Sequence, residues 1–239
     1  MGACGSADNS NKAKPAHALT LIYLDIELLG DPIRLTLKLG NIPFTDDRFG
    51  MDKMGEYKAK TPNGAFPCLM VDGKPFAQGG SILRYCGWLA DMVPRDPLHM
   101  FKIDQILEQV GDINRIIIPT FHWMMMPDRF GIEHLDEATR GEMVSKARKH
   151  MAGPDGQLTT FLKTLNDQVG EASCLLKGNK PNIGDVAVVV KLRHLKDHKI
   201  FPPLSDEIPE TIFDGFPNLV ALYEKFHKID IVKKHYGIE

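Results

Sequence analysis

The apolar positions change period along the chain, and the changes delimit the elements. "ALTLIYL" (18–24) is a near-continuous apolar run after a polar stretch, which predicts a buried strand. "GDPIRLTLKLGN" (30–41) reads as a helix. Pro32 suits its first turn, Ile33, Leu35, Leu37 and Leu39 supply apolar surface, and Gly40 is placed to stop it. "IPFTDDRF" (42–49) reads as a second strand. "GAFPCLMVDGKPFAQ" (64–78) predicts two short strands joined at Asp72-Gly73, a strong hairpin signal. "GSILRYCGWLADM" (80–92) is a helix opened by glycines. The first ninety or so residues therefore read β-α-β, a gap, then β-β-α.

"VPRDPLH" (93–99) holds two prolines and no apolar run, and reads as a linker. Beyond it strands largely vanish. "MFKIDQILEQVGDINRIII" has helical spacing at Ile103, Ile106, Leu107 and Val110, with Pro119 expected to interrupt it. "EATRGEMVSKARKHM", "QLTTFLKTLNDQV", "IGDVAVVVKLRHLKDH" and "NLVALYEKFHKIDIVKKHY" add further helical stretches. The expected division is a disordered tail over 1–17, an α/β domain over 18–92 and an all-α domain over 98–239.

Composition narrows the function. Of 239 residues, 43% are hydrophobic and 25% charged, enough for an ordinary core. A net charge of −2 with no basic stripe argues against a nucleic-acid partner. No apolar run is long enough for a membrane span, and residues 1–17 lack the apolar centre of a secretory leader. Cys4, Cys68, Cys86 and Cys174 are scattered and form no C-x-x-C pair. That fits free thiols in a reducing, cytoplasmic setting and excludes a zinc ribbon or dithiol redox centre. The nine histidines show no ligand spacing, so no metal is expected.

Four stretches, in order and at the right separations, carry a family resemblance. They are "LIYLDIELLGDPIRLTLKLGNIPF", "NGAFPCLMVDGKPFAQGGSILRY", "PNIGDVAVVVKL" and "GFPNLVALYEKFHKIDIVKKHY". Together they resemble the cytosolic glutathione transferases of the tyrosine-dependent kind (sigma, mu, alpha and pi classes), over about residues 19–236. The resemblance implies a thioredoxin-like α/β domain followed by an all-helical domain. It also implies glutathione as substrate, small hydrophobic electrophiles as second substrates, and a homodimer.

What the resemblance assigns to residues is specific. Tyr23, at the end of the first strand, takes the position of the catalytic tyrosine. A free thiol titrates at about 8.5, and a phenol donating to sulfur favours the thiolate. Phe66-Pro67 falls where the family has a cis-proline that presents main-chain groups to glutathione. Gln78 matches a γ-glutamyl contact, and Gly79 stands where serine is usual. Lys58 falls where a lysine faces the glycyl carboxylate. Met54 replaces a usual tryptophan, Ala65 a polar residue and Leu29 an arginine. Asp112 aligns with an aspartate that reaches across the dimer to glutathione. Trp123 and Met124, in "FHWMMMPDRF", fall late in the helix lining the electrophile pocket, where methionines give adaptable apolar surface. An interdomain core accounts for them equally well. Asn182 and Asp185 match the family's helix capping box.

The missing polar contacts at Met54, Ala65 and Gly79 leave a second reading, a non-catalytic binding or scaffold relative. Finally, "MGACGS" fits the N-myristoylation pattern with Gly2 as acceptor, and Cys4 is a candidate palmitoylation site. One chain alone binds membranes marginally, so acylation of both is the version that would give peripheral membrane contact. An inert tail is the alternative.

Overall fold

The computed structural model describes residues 17–200 and 203–238. Gly2 and Cys4 lie outside that range. The N-terminal part contains β1 (Leu19–Leu24), α1 (Asp31–Leu39), β2 (Thr45–Phe49), α2 (Met54–Lys58), β3 (Cys68–Val71), β4 (Lys74–Phe76) and α3 (Gly79–Leu89). The sheet runs β2-β1-β3-β4, with β1 and β2 parallel and the other pairs antiparallel. Asp72 and Gly73 both have positive φ, as a two-residue hairpin turn of the primed type requires.

Helices follow: α4 (Pro97–Met125), α5 (Glu137–Ala152), α6 (Gln157–Ala172), α7 (Ile183–Lys196), α8 (Pro217–His227) and α9 (Asp230–Tyr236). This is a thioredoxin-like α/β unit joined to a helical one. The strand alternation explains the layering. Leu19 and Leu21 point to one face and join a cluster that continues through α1, α3, α4, α6, α7 and α8. Ile22 points to the other face, where it packs with Phe49 and Cys68 under α2. Helix α7 lies at the centre of the large cluster, with Ile183, Val186, Val188, Val189, Leu192 and Leu195 fully buried. Its start is the expected capping box. The Asp185 N–H donates to Asn182 Oδ1 at 2.9 Å, and the Asn182 N–H donates to Asp185 Oδ2 at 3.0 Å.

Three sequence expectations need correction. The gap before β3 contains α2, whose five residues include Gly55 and show no apolar period to reveal it. Helix α4 runs through Pro119. The proline removes one main-chain hydrogen bond, and the buried stripe of Ile113, Ile117 and Thr120 on both sides of it outweighs that loss. The second half of the linker is helical already: Pro97 occupies the first turn of α4, and Asp96 caps it by accepting the His99 N–H at 2.9 Å.

Candidate active site

Tyr23 sits one residue from the end of β1 and is 4% exposed. β1 pairs Ile22 with Cys68 in β3, so the next step along both strands sets Tyr23 beside Pro67. The Phe66–Pro67 peptide is cis. The Tyr23 hydroxyl accepts the Leu29 N–H at 3.3 Å. Its ring fills the space beside Gly30, where a Cβ would lie 2.3 Å from Tyr23 Cδ1. Burial pushes the phenol up to about 12, while the Leu29 N–H and the charge of Arg34 act the other way. The phenol therefore stays neutral at physiological pH and keeps a proton to donate. Among the described residues, nothing accepts that proton.

The loop after β1 is fastened from below by Arg34, which is fully buried. Its Nε donates to both Asp46 carboxylate oxygens, at 3.0 and 3.1 Å. Nη1 donates to Ile26 O at 2.7 Å and Nη2 to Leu24 O at 3.1 Å. The same guanidinium lies 5.6 Å from the centroid of the Tyr23 ring. One side chain thus ties β2, the end of β1 and the loop into a single support for the tyrosine.

The other sequence-assigned residues fall into groups. Gly79 begins α3 directly over Pro67, with the Pro67 ring 3.2 Å from where a Gly79 Cβ would sit. A side chain there would press on the proline ring, which would have to give by a few tenths of an ångström. Gln78 precedes it with φ of +78°, exposed, and makes no side-chain cap contact. The first N–H groups of α3 are therefore uncapped by side chains. Lys58 ends α2 half-buried, its stem against Gly64. Met54 and Phe66 pack around Phe49, on the face of the sheet opposite Leu19 and Leu21.

Asp112 lies on the outer side of α4, paired with Arg115 of the same helix. Leu29 contributes its N–H to Tyr23, and its side chain is 38% exposed. Trp123 and Met124 are half-buried in the last turn of α4, next to an exposed Met125. Two residues earlier, Phe121 lies 6.4 Å from His194 of α7, ring to ring.

Known proteins match this chain in sequence over nearly their whole length. Glutathione S-transferase 4 of Caenorhabditis elegans is 33% identical over 218 residues, covering 90% of this chain and 93% of that protein. Glutathione S-transferase 2 of Manduca sexta is 38% identical over 200 residues, covering 81% and 90%. The chain belongs to the glutathione S-transferase family. A shorter match, to glutathione S-transferase 1 of Ascaris suum, is 34% identical over 107 residues, about half of that protein. No protein-family model matches the chain. Among solved structures, prostaglandin synthase D of Nilaparvata lugens shares the fold with a TM-score of 0.71 at 24% identity, over 92% of this chain and 97% of that one.

For a glutathione S-transferase, the residues that sequence reasoning missed are those fastening the loop. Asp31 and Arg34 lie within "DPIRLTL", where charges three apart flank Ile33 on a buried helix. That placement was the available signal. Among the described residues, no group of three or more His, Cys, Asp or Glu is arranged to hold a metal, and no helix is long and apolar enough to cross a membrane.

Proposed function

We propose that this glutathione S-transferase conjugates the glutathione thiolate to small hydrophobic electrophiles, with Tyr23 as the activating residue. The observation that carries the reading is the Tyr23 hydroxyl, neutral, fixed by the Leu29 N–H and with its own proton unclaimed. Aimed at sulfur, that O–H stabilises the thiolate over the thiol. The thiolate attacks the electrophilic carbon, a C–S bond forms, and the leaving group departs with the bonding pair. Phe66 and Pro67 flank the cysteinyl part of glutathione, beside Met54. Gln78 and the Gly79 N–H take the γ-glutamyl carboxylate, and Lys58 takes the glycyl one. Leu29, Trp123 and Met124 line the electrophile side. Asp112 reaches the site of the second subunit in a homodimer.

Turnover of a test aryl halide by Tyr23→Phe decides the role. Conjugation falls well over tenfold while retention on immobilised glutathione persists. Unchanged turnover contradicts the assignment.

The tail reading joins here. Acylation of Gly2 and Cys4 would tether the enzyme to a lipid surface near lipophilic substrates. The described chain begins at a fixed point, since His17 Nδ1 lies 2.5 Å from Asp72 Oδ2 and the Ala18 N–H donates to Asp72 Oδ1 at 2.9 Å. Intact-mass measurement on protein from eukaryotic cells tests this, and a spectrum without an acyl increment ends it.

A further inference from the structure

The turn that carries the Leu29 N–H is held from both sides by the C-terminal helices. On one side Glu27 accepts two bonds from Arg193 of α7, from Nε at 2.9 Å and Nη2 at 3.2 Å. On the other side Asp31 is 1% exposed and accepts from His235 Nε2 at 2.9 Å and from the Tyr236 hydroxyl at 2.8 Å, both in α9. The two grips are joined, because the Arg193 guanidinium lies 4.1 Å from the centroid of the Tyr236 ring. Lys38 closes the far side, with its Nζ 2.7 Å from His235 Nδ1. The tautomer that satisfies both His235 contacts carries its proton on Nε2. Arg34 completes the surroundings of Asp31, at 4.0 Å.

Two features make this more than packing. First, the gripped residues bracket the turn 28–30, in which Leu28 has φ of +34°. A leucine in that region of backbone space persists only where its surroundings impose it. Second, the charges are committed to the grip. Burial alone would raise the Asp31 carboxyl, and the His235 and Tyr236 hydrogen bonds outweigh it and hold the carboxyl below its usual range. Burial and the Asp31 charge push the Tyr236 phenol far up, so it remains a donor.

We infer that Arg193, His235 and Tyr236 form a clasp whose role is to hold the 28–30 turn in its strained shape, and so to aim the Leu29 N–H at Tyr23. These are positioning residues for thiol activation, contributed by α7 and the last helix of the chain to the loop that carries Leu29. The inference rests on the proposed role of Tyr23. Releasing the clasp lets Leu28 relax, moves the Leu29 N–H away, and leaves the phenol free to turn from sulfur.

The test uses the full-length enzyme and the double variant His235→Leu/Tyr236→Phe, with Tyr236→Phe alone as a near-isosteric version that keeps the ring under Arg193. Two readouts are taken: amide exchange over residues 25–31, and the apparent pKa of kcat/KM for aryl-halide conjugation. Exchange is expected to quicken by about tenfold or more and the kinetic pKa to rise by about one unit in the double variant. Tyr236→Phe moves both in the same direction by less, and His235→Gln in place of His235→Leu restores part of each. Wild-type exchange in both variants overturns the clasp. So does faster exchange with an unmoved kinetic pKa, provided Tyr23→Phe does shift that pKa. If Tyr23→Phe itself leaves the kinetic pKa unmoved, the reading of Tyr23 fails, and exchange alone then judges the clasp.

Discussion

The starts of α1 and α3 meet the active end of the same sheet and are built in opposite ways. At α1, Asp31 and Arg34 are buried, Asp31 is held by side chains about two hundred positions away, and Arg34 is held by the Asp46 carboxylate and the Ile26 and Leu24 carbonyls. At α3, Gln78, Gly79 and Gly80 offer main chain almost alone, with no side-chain cap. The contrast follows from the work of each end. In the proposed mechanism Tyr23 activates the thiol and has to be held still, because a hydrogen bond to sulfur weakens steeply with angle. In the same proposed mechanism the other end receives a carboxylate, and uncapped N–H groups at a helix start suit that with the helix dipole in their favour.

The largest effect should come from Gly30→Ala. Its Cβ would lie 2.3 Å from the Tyr23 ring, so the ring or the turn has to move. Conjugation should fall well over tenfold, and overpacking should lower stability by about 1–3 kcal/mol in urea titration. Near-normal turnover would show that the α1 side tolerates movement after all.

A smaller effect is expected where a buried charge lacks the partnership seen at Asp31. Lys191 of α7 is 5% exposed, lies 3.4 Å from His194 Nδ1, and has no carboxylate partner among the described residues. Burial lowers its ammonium to about 8. The unfolded chain, with a lysine near its ordinary value, binds the proton more readily between about pH 8 and 10.4, so Lys191 makes stability rise with pH across that window. Below it, a constant penalty remains. Lys191→Met should therefore stabilise at pH 7 by about 2–3 kcal/mol, with the gain shrinking towards pH 10. A gain independent of pH would mean that the ammonium is not penalised by burial.

The smallest effect belongs to Gly79→Ser. The added hydroxyl offers glutathione one hydrogen bond, but its Cβ crowds Pro67 at 3.2 Å. The two effects oppose each other, and KM for glutathione should change by less than about threefold. A tenfold fall in KM would show that the α3 end is limited by the missing side chain and not built around its backbone.

Local rules made much of this legible in advance. The hairpin at Asp72-Gly73, the capping box at Asn182 and Asp185, and the helix started by Pro32 each depend on residues a few positions apart. Tyr23 and Phe66-Pro67 were located through the family resemblance. Helix α2 escaped because five residues with an internal glycine carry no period. Pro119 misled because its cost is local while the burial that overrides it is tertiary. The grips on Glu27 and Asp31 join residues about 166 and 204 positions apart, so no local rule reaches them. Within the sequence, His235 and Tyr236 look like the frayed end of a last helix.

The most direct measurement is a titration of the thiol of bound glutathione by thiolate ultraviolet absorbance, in the wild-type enzyme and in Tyr23→Phe. If a neutral, fixed Tyr23 hydroxyl stabilises the thiolate, the wild-type complex titrates well below the free-thiol value of about 8.5, and the variant rises towards it by at least about one unit. The same midpoint in both proteins would contradict that role and move thiol activation to another part of the site.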